Sequence, residues 1–177
     1  ALMYLGRYNE AEKETLKALK LKHNKTNCLK QLINIGIKSG RLRKAIKYSD
    51  MLIDDNPENS EAYIIRADCY KNLGMNSKAL QDYILAYNLD TQNIKALKNM
   101  AVIYYDRKQY PKAAAAFEKI VQINPTDYES YYDMGSSYYL SGNKQKALES
   151  FRKALEINPG FEMALRGINI VQNDMKQ

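Results

Sequence analysis

Residues Tyr128–Phe161, YESYYDMGSSYYLSGNKQKALESFRKALEINPGF, decide how the whole chain is read. Small and apolar residues at 131, 134, 135 and 138 form one stripe at helical spacing. Those at 147, 148, 151, 154 and 155 form a second. Gly142-Asn143 separates the stripes and Asn158-Pro159 closes the second, so the spacing predicts two amphipathic helices joined by a tight turn. The same layout recurs upstream at an interval of 34 residues, which makes the 177-residue chain a repeat array.

Working outward gives four full units, 26–59, 60–93, 94–127 and 128–161, with a partial unit at 1–25 and a single helix at 162–177. Position 20 of the unit is always alanine: Ala11, Ala45, Ala79, Ala113 and Ala147. Two helices approach to roughly 8–10 Å only where the crossing side chains are small, which accounts for that alanine. Ala67, Ala101 and Gly135 at position 8 fit the same crossing from the facing helix, with Ile33 the exception. Tyr70, Tyr104 and Tyr138 at position 11, with Tyr83, Phe117 and Phe151 at position 24, fill the space beside it; Gly36 replaces the tyrosine in the first full unit. Gly6, Gly40, Gly74 and Gly142 at position 15 end the first helix of each pair in the left-handed conformation, and Lys108 stands there once at a cost of up to about 1 kcal/mol. Pro57, Pro125 and Pro159 stop the second helix, while Pro111 falls harmlessly in a first turn. Helices are therefore expected at 8–20, 26–39, 42–55, 60–73, 76–89, 94–107, 110–123, 128–141, 144–157 and 162–175, with no segment of strand period.

Composition narrows the function classes. There are 27 basic and 20 acidic side chains, a net charge of +7, unevenly spread: 12 basic and 7 acidic lie in residues 1–59, and 15 and 13 in the rest. Such an excess is compatible with nucleic acid, anionic lipid or acidic peptide as partner, or with ordinary solvated helix faces. No apolar run reaches the 18 or so residues of a membrane span, and no signal peptide is present. The chain begins inside a repeat and reads as a segment of a longer protein. Cys28 and Cys69 lack any paired spacing and read as packing residues of a protein from a reducing compartment, with the cytoplasm favoured. One histidine, His23 in a turn, cannot build a catalytic dyad or a metal cluster, and no phosphate-binding loop, nucleophile elbow or zinc helix occurs. Neither catalysis, nor a cofactor, a metal or a small-molecule substrate is expected.

Small residues at 8 and 20, Tyr at 11, Gly at 15, an aromatic at 24, alanine at 27 (Ala18, Ala86, Ala154) and Pro at 32 resemble the tetratricopeptide repeat, whose period is also 34. The resemblance spans essentially the whole chain; it departs at Tyr63 and Tyr131, where the family carries tryptophan, and in the degenerate unit 26–59. It implies an all-α fold: a right-handed α-solenoid of helix-turn-helix repeats in a single domain, with 162–177 as a capping helix whose Asn169 and Gln172 tolerate water. Ala1–Leu5 is too short for a full first helix, which leaves 8–20 without its partner and predicts a frayed or sticky N-terminus.

The resemblance further implies a concave groove lined by positions 2, 5, 6, 9, 12 and 13 of each first helix. The candidate binding residues are then Lys30, Asn34 and Lys38; Asp68 and Lys71; Lys95, Lys98, Asn99 and Tyr105; and Glu129, Tyr132, Asp133, Ser136 and Tyr139. A groove of this kind would bind a peptide or helix of another protein; otherwise these residues are merely solvated and the interface lies on the convex face or an edge. The carboxylate clamp of chaperone-adaptor members is matched by Lys30, Asn34 and Lys95, but Ile65 and Asn99 stand where that pattern has asparagine and arginine. Alternative readings are self-association as a homo-oligomer through repeat ends, nucleic-acid binding by the basic N-terminal half, and regulatory repeats of a larger enzyme.

Overall fold

A computed structural model describes residues 7–21 and 24–176, and among them the chain forms ten α-helices and no strand. Two compact units divide it, residues 1–91 and 92–177. The first holds α1 (Tyr8–Lys20), α2 (Lys25–Lys38), α3 (Leu42–Asp55), α4 (Ser60–Asn72) and α5 (Asn76–Leu89). The second holds α6 (Ile94–Asp106), α7 (Tyr110–Ile123), α8 (Tyr128–Leu140), α9 (Lys144–Ile157) and α10 (Glu162–Met175). Every helix end lies within one residue of its expected place. Ala1–Leu5, Gly6 and His23 lie outside the described residues, so the expectations about the N-terminus and the turn histidine are not addressed.

Within each unit the hairpins α2/α3, α4/α5, α6/α7 and α8/α9 pack tightly, and α3 on α4, α7 on α8 and α9 on α10 join successive pairs. The turns inside the hairpins are built identically. Gly40, Gly74 and Gly142 take φ of 72°, 73° and 87°, and Lys108 takes 58°. The next residue's N–H reaches back to the carbonyl five positions earlier, as in Arg41 to Gly36 at 2.8 Å and Met75 to Tyr70 at 2.9 Å. These paired backbone bonds satisfy carbonyls that a helix end would otherwise leave bare. Lys108 closes the same turn with a Cβ in the left-handed region, so its conformational cost is real.

The turns between hairpins contain a device the sequence reading passed over. Asn59, Asn93 and Asp127 each accept a hydrogen bond from the backbone N–H three residues on, at 3.2, 3.0 and 3.1 Å, and so cap α4, α6 and α8. Their spacing of 34 residues was the available signal. Before them, Asn56, Asp90 and Asn124 are extended, which stops the preceding helix even at Thr91, where no proline enforces it.

Ala45, Ala79, Ala113 and Ala147 are fully buried at the helix crossings. The degenerate unit reaches the same closeness by exchanging sizes. Ile33 is large and buried where other units are small, and Gly36 is small where they carry tyrosine. A Cβ on Gly36 would come within 3.0 Å of both Ala45 Cβ and Ala45 N. In α8 the close approach stays at position 8: a Cβ on Gly135 would meet the Phe151 ring at 2.7 Å. Leu29, Leu32, Ile33, Leu52 and Cys69 belong to the core of the first unit; Leu148, Phe151, Ala164 and Val171 belong to that of the second. Cys28 and Cys69 are free buried thiols, and burial, reinforced by neighbouring Asp68, pushes Cys69 up to about 11. On α10, Asn169 is exposed as anticipated, yet Leu165 and Ile170 are also about half exposed. No described helix is long and apolar enough to cross a membrane.

Candidate functional site

The candidate residues lie on the first helices of the pairs, and the two units treat them differently. In the first unit, Lys30 Nζ on α2 pairs with Glu61 Oε2 on α4 at 2.7 Å. Asn34, Lys38 and Lys71 are exposed. Asp68 accepts a hydrogen bond from the fully buried Tyr83 hydroxyl at 2.5 Å. Burial, then this bond to a carboxylate, drives the Tyr83 phenol far above its ordinary range. Ile64, also at an inward position by sequence, is buried instead.

Beside Asp68 runs an ionic network that the sequence reading missed. Arg66 donates from Nε and Nη2 to the two oxygens of Asp82, both at 2.7 Å, and from Nη1 to Asp50 at 2.8 Å. Hydrogen bonding to Asp82 chiefly raises the Arg66 guanidinium above its usual value, against the opposing effect of burial. Glu12 is tied in the same manner: Arg41 and Lys44 reach it at 2.7 and 2.8 Å, and Tyr48 donates at 3.3 Å. Burial alone would raise Glu12, but hydrogen bonding by Lys44, with the charges of Lys44 and Arg41, outweighs it and lowers the carboxyl.

In the second unit the same face is aromatic. Tyr132 packs on Phe151 and Phe161 with centroids 5.5 and 5.4 Å apart, and Tyr105 meets Tyr110 edge-on at 5.4 Å. Tyr132 is thus part of the packing as well as of the surface. Lys98 Nζ binds Asp127 Oδ2 at 2.8 Å. Burial would raise Asp127, but hydrogen bonds from Lys98 and Ser130 hold it below the usual carboxylate range. Asn99 Nδ2 donates to the Lys95 carbonyl at 2.9 Å, and Ser136 Oγ to the Tyr132 carbonyl at 3.1 Å, so both turn back on their own helices. Lys95 and Glu129 are exposed, and Tyr139 is half-buried.

Asp133 is different. Water reaches its carboxylate, but among the described residues no side chain hydrogen-bonds or ion-pairs with it. It lies in a cleft of about 220 Å³ lined also by Val102, Tyr105, Phe117, Tyr132 and Ser136. Partial desolvation there, with Glu129 one helical turn away, pushes Asp133 up to about 6 despite the opposing charge of Lys98. A second hollow of about 170 Å³ shares Tyr105, Tyr132 and Ser136 and continues to Tyr139, Leu140, Ile170 and Val171. The inward positions of the repeat already include Asp133, Tyr105, Tyr132, Ser136 and Tyr139, with Val102 and Leu140, but the sequence reading missed Phe117, Ile170 and Val171, which complete this face.

Comparisons with known proteins place these features in a family. The chain is 26% identical over 124 residues to anaphase-promoting complex subunit 3 of Schizosaccharomyces pombe, covering 70% of this chain and 19% of that protein. It is 29% identical over 133 residues to human tetratricopeptide repeat protein 6 (73% and 25%). It is 28% identical over 92 residues to Hsp70-Hsp90 organizing protein 3 of Arabidopsis thaliana (52% and 16%). The chain therefore spans a quarter or less of the length of these relatives. Among solved structures, MamA superposes with a TM-score of 0.76 at 24% identity, over 89% of this chain and 92% of that one. YrrB, described as a TPR protein with an unusual peptide-binding site, gives 0.73 at 20%, over 93% and 85%. At such identities these two establish the all-α solenoid fold alone. Tetratricopeptide-repeat models match residues 60–93, 94–127 and 128–161, more than half of the chain, which belongs to the tetratricopeptide-repeat family.

Proposed function

We propose that the chain is a non-catalytic protein-interaction scaffold that holds a peptide or helix of another protein against the first helices of its repeats. The observation that carries this reading is the surface of α6, α8 and α10. Tyr105, Val102 and Leu140 are exposed there beside two clefts, although none is needed to seal the core. Tyrosine gives large contact area at low ordering cost, which suits recognition. The similarity to Hsp70-Hsp90 organizing proteins and to YrrB, a TPR protein with an unusual peptide-binding site, is in keeping with it. In the first unit Lys30, Lys38 and Lys71 supply basic side chains and Asn34 an amide; in the second, Lys95 and Lys98 are basic and Glu129 and Asp133 acidic. Affinity is expected near the micromolar range, about −8 kcal/mol.

Protein is favoured over nucleic acid because several basic side chains of the N-terminal half are already held in ion pairs and are not free for phosphates. Lys25 pairs with Asp55, Lys30 with Glu61, and Arg41 and Lys44 with Glu12. A carboxylate clamp built on Lys30 and Lys95 has less support, since Lys30 is occupied by Glu61.

Capture of partners from extract tests the reading. Tyr105→Ala with Tyr139→Ala, and separately Lys95→Glu, should each lose proteins retained by the unaltered chain and by an Arg152→Glu control on α9. Identical capture by all four proteins would defeat the groove. A steep fall of capture with salt, transferable to nucleic acid, would favour the alternative.

A further inference from the structure

Most polar side chains on the first-helix faces are engaged: Lys30 by Glu61, Asp68 by Tyr83, Lys98 by Asp127. Asp133 has no side-chain partner among the described residues and, unlike the exposed Asn34, Lys38 and Glu129, it stands in an aromatic cleft. Its charged surroundings make the local field negative. Glu129 on α8 and Asp127 at its N-cap add to it, and the opposing charge, Lys98 on α6, is already bonded to Asp127.

A cation is the complement of such a site, but a bare ion would leave the tyrosine walls unused. We propose that the cleft receives a lysine or arginine side chain of a partner segment, its charged head against Asp133 and its aliphatic stem along the Tyr105 and Tyr132 rings. Aromatic faces attract cations and pack well on methylene stems, so both parts of such a side chain are accommodated. The adjoining hollow, floored by Leu140, Ile170 and Val171, then receives an apolar residue of the same segment. The preferred partner motif is a basic residue with an apolar residue close by in an extended chain. This inference rests on the peptide-binding reading above and names the chemistry of the peptide.

Three capped peptides test it by amide NMR titration of the whole chain: acetyl-Gly-Arg-Gly-Leu-Gly-amide, and the same peptide with citrulline or with glutamate in place of arginine. The arginine peptide should shift the Tyr105, Tyr132, Asp133 and Ser136 amides saturably. Citrulline should bind about tenfold more weakly, the usual worth of one charge-assisted hydrogen bond, and glutamate more weakly still. Asp133→Asn, a near-isosteric change at a water-accessible position, should erase the preference for arginine over citrulline. Lowering the pH from about 7 to about 5 should do the same in the unaltered protein, because Asp133 titrates near 6. Equal shifts from arginine and citrulline at these amides would overturn the inference while leaving peptide binding in place. Absence of shifts there with all three peptides would overturn it too, and partner capture would then judge the broader reading by itself. An unchanged arginine preference in Asp133→Asn would also refute it.

Discussion

The hairpins α4/α5 and α8/α9 stand two repeats apart, share a backbone plan and hold themselves together by different means. In α4/α5 the second-helix aromatic is Tyr83, whose hydroxyl crosses to Asp68, and Arg66 straps α4 to Asp82 on α5 and Asp50 on α3. In α8/α9 the equivalent aromatic is Phe151, Met134 replaces Arg66, and the ring packs against Tyr132 and Gly135. The first hairpin spends its polar side chains on its own cohesion. The second coheres through aromatic contact and leaves Asp133 uncommitted. In a repeat protein, where every unit must bind its neighbour, spare chemistry accumulates where packing is apolar.

Substitution can break this contrast, and the largest effect should come from the ionic strap. Arg66→Ala strands Asp82, which is only 4% exposed, and should cost about 3 kcal/mol in urea unfolding. Adding Asp82→Leu should restore much of the loss; failure to do so would show that the arginine stem matters more than its charge. Next, Gly135→Ala should cost about 2 kcal/mol, because the new Cβ meets the Phe151 ring at 2.7 Å and Gly167 crowds the same ring from α10. Ala67 already fills the corresponding position of α4, so a cheap Gly135→Ala would mean that the two crossings are alike after all. Tyr83→Phe removes the donor to Asp68 and should cost about 1 kcal/mol, measurable in the same unfolding assay.

Smaller effects sharpen the comparison. Lys108→Gly should gain up to about 1 kcal/mol, since Gly74 makes the equivalent turn in the first unit without a Cβ. Asp133→Asn should gain less than about 1 kcal/mol at neutral pH, solvent screening having been allowed for at an exposed site. The sign follows from the raised pKa. Between 3.8 and about 6 the folded state holds a proton that the unfolded chain has released, so stability falls as pH rises through that window. Asp133→Asn should flatten that part of the pH profile, whereas Asp127, with its lowered pKa, loses stabilisation as the medium becomes acid.

The architecture was legible in the sequence because its causes are local and repeated. Alanine at each crossing, glycine at each left-handed turn and proline after each second helix act through sterics that need no knowledge of distant residues. The exchange of Ile33 and Gly36 was visible only as two separate irregularities, since reading them as one compensation requires knowing that Gly36 lies against Ala45 and that Ile33 belongs to the same core cluster. The candidate surface was half legible. Period alone located Asp133 and Tyr105 on the first-helix face, but nothing in a 34-residue pattern tells that Asp68 has a partner and Asp133 has none. The two stand at different positions of the repeat, 9 and 6, and Asp68 is the one that accepts from the Tyr83 hydroxyl.

Both thiols of the chain, Cys28 and Cys69, are buried in helices of the first unit, and the second unit has none. Alkylating reagents attack the thiolate, which burial suppresses at Cys69, so labelling must wait for the helices to part. The rate at which Cys69 gains a mass tag under native conditions is therefore a clock for opening of α4, blind to the second unit. Ligand binding at the Asp133 cleft should leave that clock untouched unless the two units open together, which makes two natural cysteines a ready gauge of cooperativity along the array.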